Sequence, residues 1–160
     1  MNNTLSSLLA GLVSGAITAV VTYYATLAKA RLDLSIEYDK ELHSNRLTAY
    51  KELWPRLKPL ARYSVERPIT YQVVKDTSEK MRDWYFDVGG IFLSRASRKP
   101  YFALKDEMQK IIDDEALQKE PGKALGKKRL QSIHDFSRDL REALSNDVGT
   151  RERRFLDQVA

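Results

Sequence analysis

Cysteine is absent from this 160-residue chain, so neither a disulfide framework nor a thiolate metal site can form. The motifs of a phosphate-binding P-loop, a GxSxG nucleophile and an HExxH zinc site are absent as well. The acidic run Asp113-Asp114-Glu115 has no histidine or further carboxylate at ligand spacing, and we interpret it as a solvated helix end. The sequence therefore predicts no metal, no cofactor and no small-molecule substrate.

Charge is absent from the N-terminal part of the chain. The first charged residue is Lys29, although 31% of all residues are charged. The charge-free stretch from Leu5 to Ala28 would measure about 36 Å as an α-helix, enough to cross a hydrocarbon core of about 30 Å. Such a stretch is typical of a membrane-spanning helix, and we expect it to contact membrane lipid.

The residues that flank this stretch indicate its orientation. No Lys or Arg precedes it, whereas Lys29 and Arg31 follow it, and the positive flank stays in the cytoplasm. We therefore expect a transmembrane segment at residues 1–28 and a cytoplasmic helical domain at residues 29–160, held at the inner (cytoplasmic) membrane. A cleaved signal peptide fits less well, because the N-terminal region has no positive charge and the apolar run exceeds the usual ~7–15 residues.

Two stripes of small residues run along the charge-free stretch, because side chains four positions apart share a helix face. The first stripe contains a GxxxG motif and is predicted to pack against the same helix of other copies, giving a homo-oligomer. Its residues are Ser7, Gly11, Gly15 and Ala19. The second stripe carries hydroxyl groups and is predicted to line a pore; it includes Ser14, Thr18 and Thr22. A plain anchor without a specific interface is the alternative.

Glycine and proline are both absent between Gly15 and Pro55, so nothing in the local chemistry ends a helix there. We expect the transmembrane helix to continue into the cytoplasm as one rod. Pro55 and Pro59 should kink this rod, and Pro68 should end it.

Three further helices are predicted from apolar residues that recur at spacings of three and four. They cover about residues 70–88, 100–119 and 123–145. Gly89-Gly90 should end the first of them, and Ser94 or Ser97 is the candidate N-cap of the second. The apolar run 91–93 between them should lie in the core.

The fold class predicted from these segments is all-α, since no alternating strand pattern or hairpin turn occurs. An N-terminal single transmembrane helix continues into a cytoplasmic four- to five-helix bundle. Residues 150–160 are interpreted as either a fifth short helix or a basic arm. All 27 Lys and Arg follow residue 28, against 22 Asp and Glu, and this surplus fits attraction to anionic lipid, RNA or a protein partner.

Arg129 and His134 form an Arg-x4-His sequence within the last predicted helix. This sequence resembles the Arg-x4–6-His motif of the HEPN superfamily, although Leu130 stands where many HEPN motifs carry a polar residue. The resemblance implies metal-independent RNA cleavage with Arg129 and His134 as candidate catalytic residues. An imidazole can transfer a proton near neutral pH and a guanidinium can hold a phosphate at two points.

A structural role for Arg129 is the alternative. The helical wheel places Arg129 on the apolar side of its helix, where it needs a carboxylate, an interface or a phosphate as partner.

The layout of the whole chain, a membrane helix followed by a small helical bundle, resembles the membrane-anchored accessory proteins of RNA-targeting CRISPR systems. That resemblance implies a homo-oligomeric pore that acts in antiviral defence. A pore or effector is favoured over an enzyme. The alternatives are a membrane-tethered ribonuclease and a non-catalytic membrane anchor for a protein or RNA partner.

Overall fold

The structure is a computed structural model that describes the backbone of residues 2–63 and 68–149, and the side chains of those residues from Thr18 onward. The four long helices are α1 (Asn2–Arg56), α2 (Tyr71–Trp84), α3 (Arg95–Ile112) and α4 (Lys127–Asp147). Shorter helical pieces are a 3₁₀ helix (Lys58–Leu60), a π-turn (Tyr85–Gly89) and single turns at Gly90–Phe92 and Glu115–Gln118. The described part of the chain contains no strand, which confirms the predicted all-α class.

Helix α1 has 55 residues and runs without interruption through the segment that lacks glycine and proline, as predicted. Pro55 lies in its last turn and Pro59 lies in the 3₁₀ helix that follows. The helix therefore ends where we expected a kink, because Pro59 has no N–H to continue the hydrogen-bond ladder and restricts the residue before it. Across the residues described here, no helix is both long enough and apolar enough to cross a membrane.

Two compact units divide the chain, at residues 1–42 and 43–160. The second unit contains the hydrophobic core, to which all four helices contribute. Its fully buried large side chains are Leu53 of α1, Leu57 and Leu60 of the segment that follows it, Met81 and Trp84 of α2, Tyr101, Leu104, Met108 and Ile111 of α3, and Ile133, Leu140 and Leu144 of α4. All of them except Leu60 follow the predicted apolar spacings. The predicted fifth helix or basic arm at 150–160 lies outside the described residues.

The link between α2 and α3 differs from the prediction. Gly89 and Gly90 keep helical backbone angles, and the chain becomes extended only at Leu93. Gly89 is needed for space, since a Cβ at this position would lie 2.3 Å from the Trp84 indole. Of the apolar run that we expected in the core, Leu93 is buried whereas Ile91 is exposed.

The Trp84 indole fixes α2 against its neighbours. Its Nε1–H donates to the carbonyl of Ala49 in α1 at 3.0 Å, and its ring packs against Tyr101 of α3 with centroids 5.8 Å apart. The hydroxyl of Tyr101 donates back to the carbonyl of Met81 at 2.8 Å. One buried side chain therefore joins three helices, and its polar atom is satisfied.

The ends of α3 and α4 are joined to α1 by hydroxyl groups. Asp147, at the end of α4, accepts hydrogen bonds from Tyr50 Oη at 2.8 Å and from Ser97 Oγ at 2.6 Å. Burial, together with Asp147, raises the pKa of Tyr50 to about 12, so this phenol remains a donor. Ser94 caps α3 by accepting from the Ser97 amide, which confirms one of the two predicted N-caps.

Replacing Gly89 by Ala should destabilise the folded unit, because the added methyl group forces the Trp84 indole out of its site. We expect the free energy of unfolding to fall by about 2 kcal/mol, a typical cost of overpacking. Urea denaturation of the full chain followed by tryptophan fluorescence measures this change. Gly122→Ala is the matched control, since a Cβ there meets no atom within 4 Å. Equal stability of the two variants would contradict the role given to Gly89.

A second prediction concerns the hydrogen bond between α3 and α4 that Ser132 Oγ donates to Glu107 at 2.6 Å. This bond lowers the pKa of Glu107 below its ordinary value of 4.5, against the opposing effect of burial and with help from Lys110. Because the folded pKa is depressed, the stabilisation is complete above pH 4.5 and is lost as pH falls through the folded pKa.

Ser132→Ala should therefore lower the free energy of unfolding by about 1 kcal/mol at pH 7, and this deficit should shrink as the pH is lowered from 5 to 3. Denaturation curves at several pH values provide the measurement. A deficit that does not change with pH would show that Glu107 is not the partner that matters.

Candidate functional site

The predicted assembly stripes lie on α1, in the first unit. Ser7, Gly11, Ser14 and Gly15 belong to the helical backbone, but their side chains lie outside the described part of the structure. Thr18, Ala19 and Thr22 are exposed. Since Thr18 and Thr22 are four residues apart, they share a face, and Ala19 lies on the adjacent one.

Large apolar side chains are exposed around the described part of this helix. Val20 is 55% exposed and Val21 is 61% exposed, and they lie about 100° apart around the axis. Tyr23 and Tyr24 are exposed beside them and contact each other edge to face, with centroids 5.6 Å apart. The charge-free part of this helix, up to Ala28, is therefore apolar on more than one face.

Arg129 and His134 lie on α4, but the structure does not bring them together. Five helical residues turn the side-chain direction by about 140°, so the two point to different sides of the helix. Arg129 forms an ion pair with Asp114, and His134 Nδ1 lies 3.2 Å from the carbonyl oxygen of Leu60.

The ion pair of Arg129 supports a local cap. Asp114 accepts from the amides of Ala116 at 2.9 Å and Leu117 at 3.2 Å, and so begins the single turn Glu115–Gln118. The hydrogen bond from Arg129 lowers the pKa of Asp114, and the amide donors act in the same direction. Of the partners expected for Arg129, a carboxylate is the one observed.

The position of Arg129 corrects one expectation. Its direction around the helix is that of the buried Leu140, as predicted, yet its side chain is 44% exposed. Arg129 lies in the first turn of α4, and at that level of the helix axis the guanidinium reaches Asp114 at the surface. Direction around a helix does not determine burial where the helix extends beyond the core.

His134 lines a cleft of about 580 Å³ that lies entirely within the second unit. One wall is the end of α1 and the segment after it, and the other wall is α4. The aromatic lining groups are Trp54 and Tyr63. The charged lining groups are Lys58, Arg62, Arg138, Arg141, Asp135 and Glu142.

The hydrogen bond of His134 determines which ring nitrogen is available to a ligand. A carbonyl oxygen can only accept, so Nδ1 carries the hydrogen that it donates to Leu60. The neutral ring therefore presents Nε2 as an acceptor.

The two arginines on the α4 wall differ in their surroundings. Arg138 forms ion pairs with Asp135 and Asp139, each at 3.2 Å. Arg141 is half-buried and has no hydrogen-bond or ion-pair partner among the described residues. Burial lowers the pKa of Arg141. No described residue compensates the desolvation of this guanidinium, which makes it a candidate ligand-binding group.

Sequence reasoning did not identify this cleft. His134, Arg138 and Arg141 are spaced by four and three residues and therefore share one face of α4, a signal that is visible in the sequence. The apolar side chain of Trp54, next to the buried Leu53, would be expected in the core from the sequence, but it is 45% exposed. The cleft exists because the chain turns at Pro55–Leu60 and faces α4, and this tertiary contact has no local sequence signal.

No protein-family model, curated protein or solved structure matches this chain.

Arg129→Gln and Asp114→Asn test whether Arg129 has a structural role. Because both variants break the same ion pair, we expect small and similar losses of melting temperature, and no further loss in the double variant. These losses should be smaller than that of Gly89→Ala and should diminish at high salt. Circular dichroism of the full chain provides the measurement. Chelator-resistant RNA cleavage that disappears in Arg129→Gln but persists in Asp114→Asn would instead assign Arg129 to catalysis.

Proposed function

We propose that α1 anchors this protein in the cytoplasmic membrane and packs against α1 of other copies, while the second unit acts in the cytoplasm. The observation that carries the proposal is that the charge-free stretch from Leu5 to Ala28 lies entirely within one helix. Of its described large apolar side chains, Val20, Val21, Tyr23 and Tyr24 are exposed and Leu27 is half-buried. The backbone polar groups of such a segment are satisfied within the helix, which is the condition for crossing lipid.

The proposed orientation rests on charge. Lys29 and Arg31 lie on α1 directly after the charge-free stretch, and both are exposed. Positively charged flanks remain in the cytoplasm, so the second unit should face the cytoplasm.

Self-association is proposed from the GxxxG stripe. Small side chains at Gly11 and Gly15 allow two helix backbones to approach closely in lipid, where packing rather than hydrophobic burial drives association. The hydroxyl stripe that includes Ser14, Thr18 and Thr22 would then face the axis of a closed assembly. Hydroxyl groups solvate a narrow path that leucine or valine would dewet.

A regulated pore of this kind would depolarise the membrane, which fits the antiviral defence that the CRISPR-accessory resemblance implies. We favour this function over the ribonuclease, because Arg129 is paired with Asp114 and His134 points elsewhere.

Substitutions on different faces of α1 separate the parts of this proposal. Gly15→Leu should block close approach and reduce the number of copies per particle, measured by mass in detergent. Val13 lies on the side of the helix opposite Gly11 and Gly15, so Val13→Leu adds bulk outside both stripes and should leave the assembly unchanged. Thr18→Leu should keep the assembly but suppress the depolarisation that the wild type causes on overexpression.

The proposed orientation is tested by fusing alkaline phosphatase after Ala160. A cytoplasmic fusion is inactive, and we expect no activity. Periplasmic activity would overturn the orientation. A wild-type protein that is monomeric in detergent would overturn self-association.

A further inference from the structure

We propose that the cleft between the end of α1 and α4 binds a phosphorylated molecule that carries a flat aromatic ring, of the nucleoside monophosphate class. The anchor is Arg141, with Trp54 and His134 on the cleft walls. This site is independent of membrane anchoring, since all of its residues belong to the unit 43–160.

Arg141 supplies the first part of the argument. A half-buried guanidinium loses water, and the described residues offer it no hydrogen bond or opposite charge in return. A charge that loses water without gaining a partner lowers stability, so Arg141 is a candidate group for binding an anion. The planar fork of a guanidinium matches the oxygens of a phosphate or a carboxylate at two points.

The charge of the cleft distinguishes between these two anions. Among the described residues, four cationic and two acidic side chains line it, and Arg138 also pairs with Asp139 outside the lining, so the surplus is one to two positive charges. A phosphate monoester carries a charge of about −1.5 to −2 at pH 7, whereas a carboxylate carries −1. The phosphate monoester therefore balances the cleft more completely.

Aromatic surface supplies the second part. Trp54 and Tyr63 line the cleft and remain exposed, so their rings are accessible to a ligand. Stacking a nucleobase on an aromatic side chain contributes about 1–3 kcal/mol. An exposed indole beside a phosphate-binding arginine therefore fits a ring joined to a phosphate.

His134 adds a polar contact. Its Nδ1–H is held by the carbonyl of Leu60, so the neutral ring offers Nε2 as an acceptor, and the described residues provide no donor to it. A ribose hydroxyl is a donor of suitable size. The three groups together correspond to the phosphate, sugar and base of one nucleotide.

Titration calorimetry of the full chain in detergent tests the site with AMP, ribose 5-phosphate, adenosine and inorganic phosphate. AMP should bind saturably and more tightly than each of the three partial ligands. Arg141→Gln should weaken AMP binding at least about tenfold, as expected for loss of a charge-assisted bidentate contact. Trp54→Ala should weaken AMP binding but leave ribose 5-phosphate unaffected.

Arg82→Gln is the matched control, because Arg82 is an exposed α2 arginine that pairs with Asp83 and does not line the cleft. It should bind AMP like the wild type. Equal weakening by Arg82→Gln and Arg141→Gln would show attraction by general charge and overturn the proposal.

The stability of a further variant gives an independent readout. Arg141→Met removes an uncompensated charge and keeps the apolar stem, so the ligand-free variant should melt at a higher temperature than the wild type. A lower melting temperature would show that Arg141 has a structural role and would overturn the proposal.

Anionic lipid is the other source of a phosphate group. To test this source, the protein is freed of detergent and reconstituted with vesicles of phosphatidylcholine that either contain or lack phosphatidic acid. If AMP does not bind and phosphatidic acid alone protects Arg141 from guanidine-directed labelling, the cleft is a lipid headgroup site and the nucleotide proposal is wrong.

Discussion

The contact between the Trp84 indole and the backbone of Gly89 is the constraint on which the folded unit depends. The ring occupies the space of a missing side chain, donates its N–H to α1 and stacks near Tyr101 of α3. Glycine commonly follows the end of a helix, and we expected Gly89-Gly90 to end α2. A helix that ended there would not place the backbone of Gly89 against the Trp84 indole. The π-turn before Gly89 is therefore part of the packing of the core rather than an irregularity at a helix end.

Local chemistry made much of the fold predictable. A segment without glycine or proline predicted the continuous α1, apolar spacings predicted most core residues, and Ser94 was a correct cap. Each of these signals depends only on residues that are close together in the chain, so each can be recognised from the sequence alone. The role of Gly89 was not predictable, because it depends on a side chain five residues away whose direction is fixed by α1 and α3.

The site was less predictable than the fold for the same reason. Arg129 and His134 looked like a unit because they are close in sequence, yet a helix separates residues five apart and gives each a different neighbour. Arg141 and Trp54 are far apart in sequence and share one cleft. Closeness in sequence therefore did not indicate which side chains share a site. The lack of a partner for Arg141 among the described residues is visible only in the folded structure.

The two hydrogen bonds that hydroxyl groups donate to Asp147 at the end of α4 have a consequence for recognition. Asp147 would be unfavourable at a helix C-terminus, and its bonds to Tyr50 and Ser97 offset this cost while holding α4 against both α1 and α3. A helix secured in this way resists sliding and rotation, so the side chains of its opposite face keep fixed positions. The α4 wall of the cleft is thus preorganised, and a ligand that fits it would bind with little cost of rearrangement.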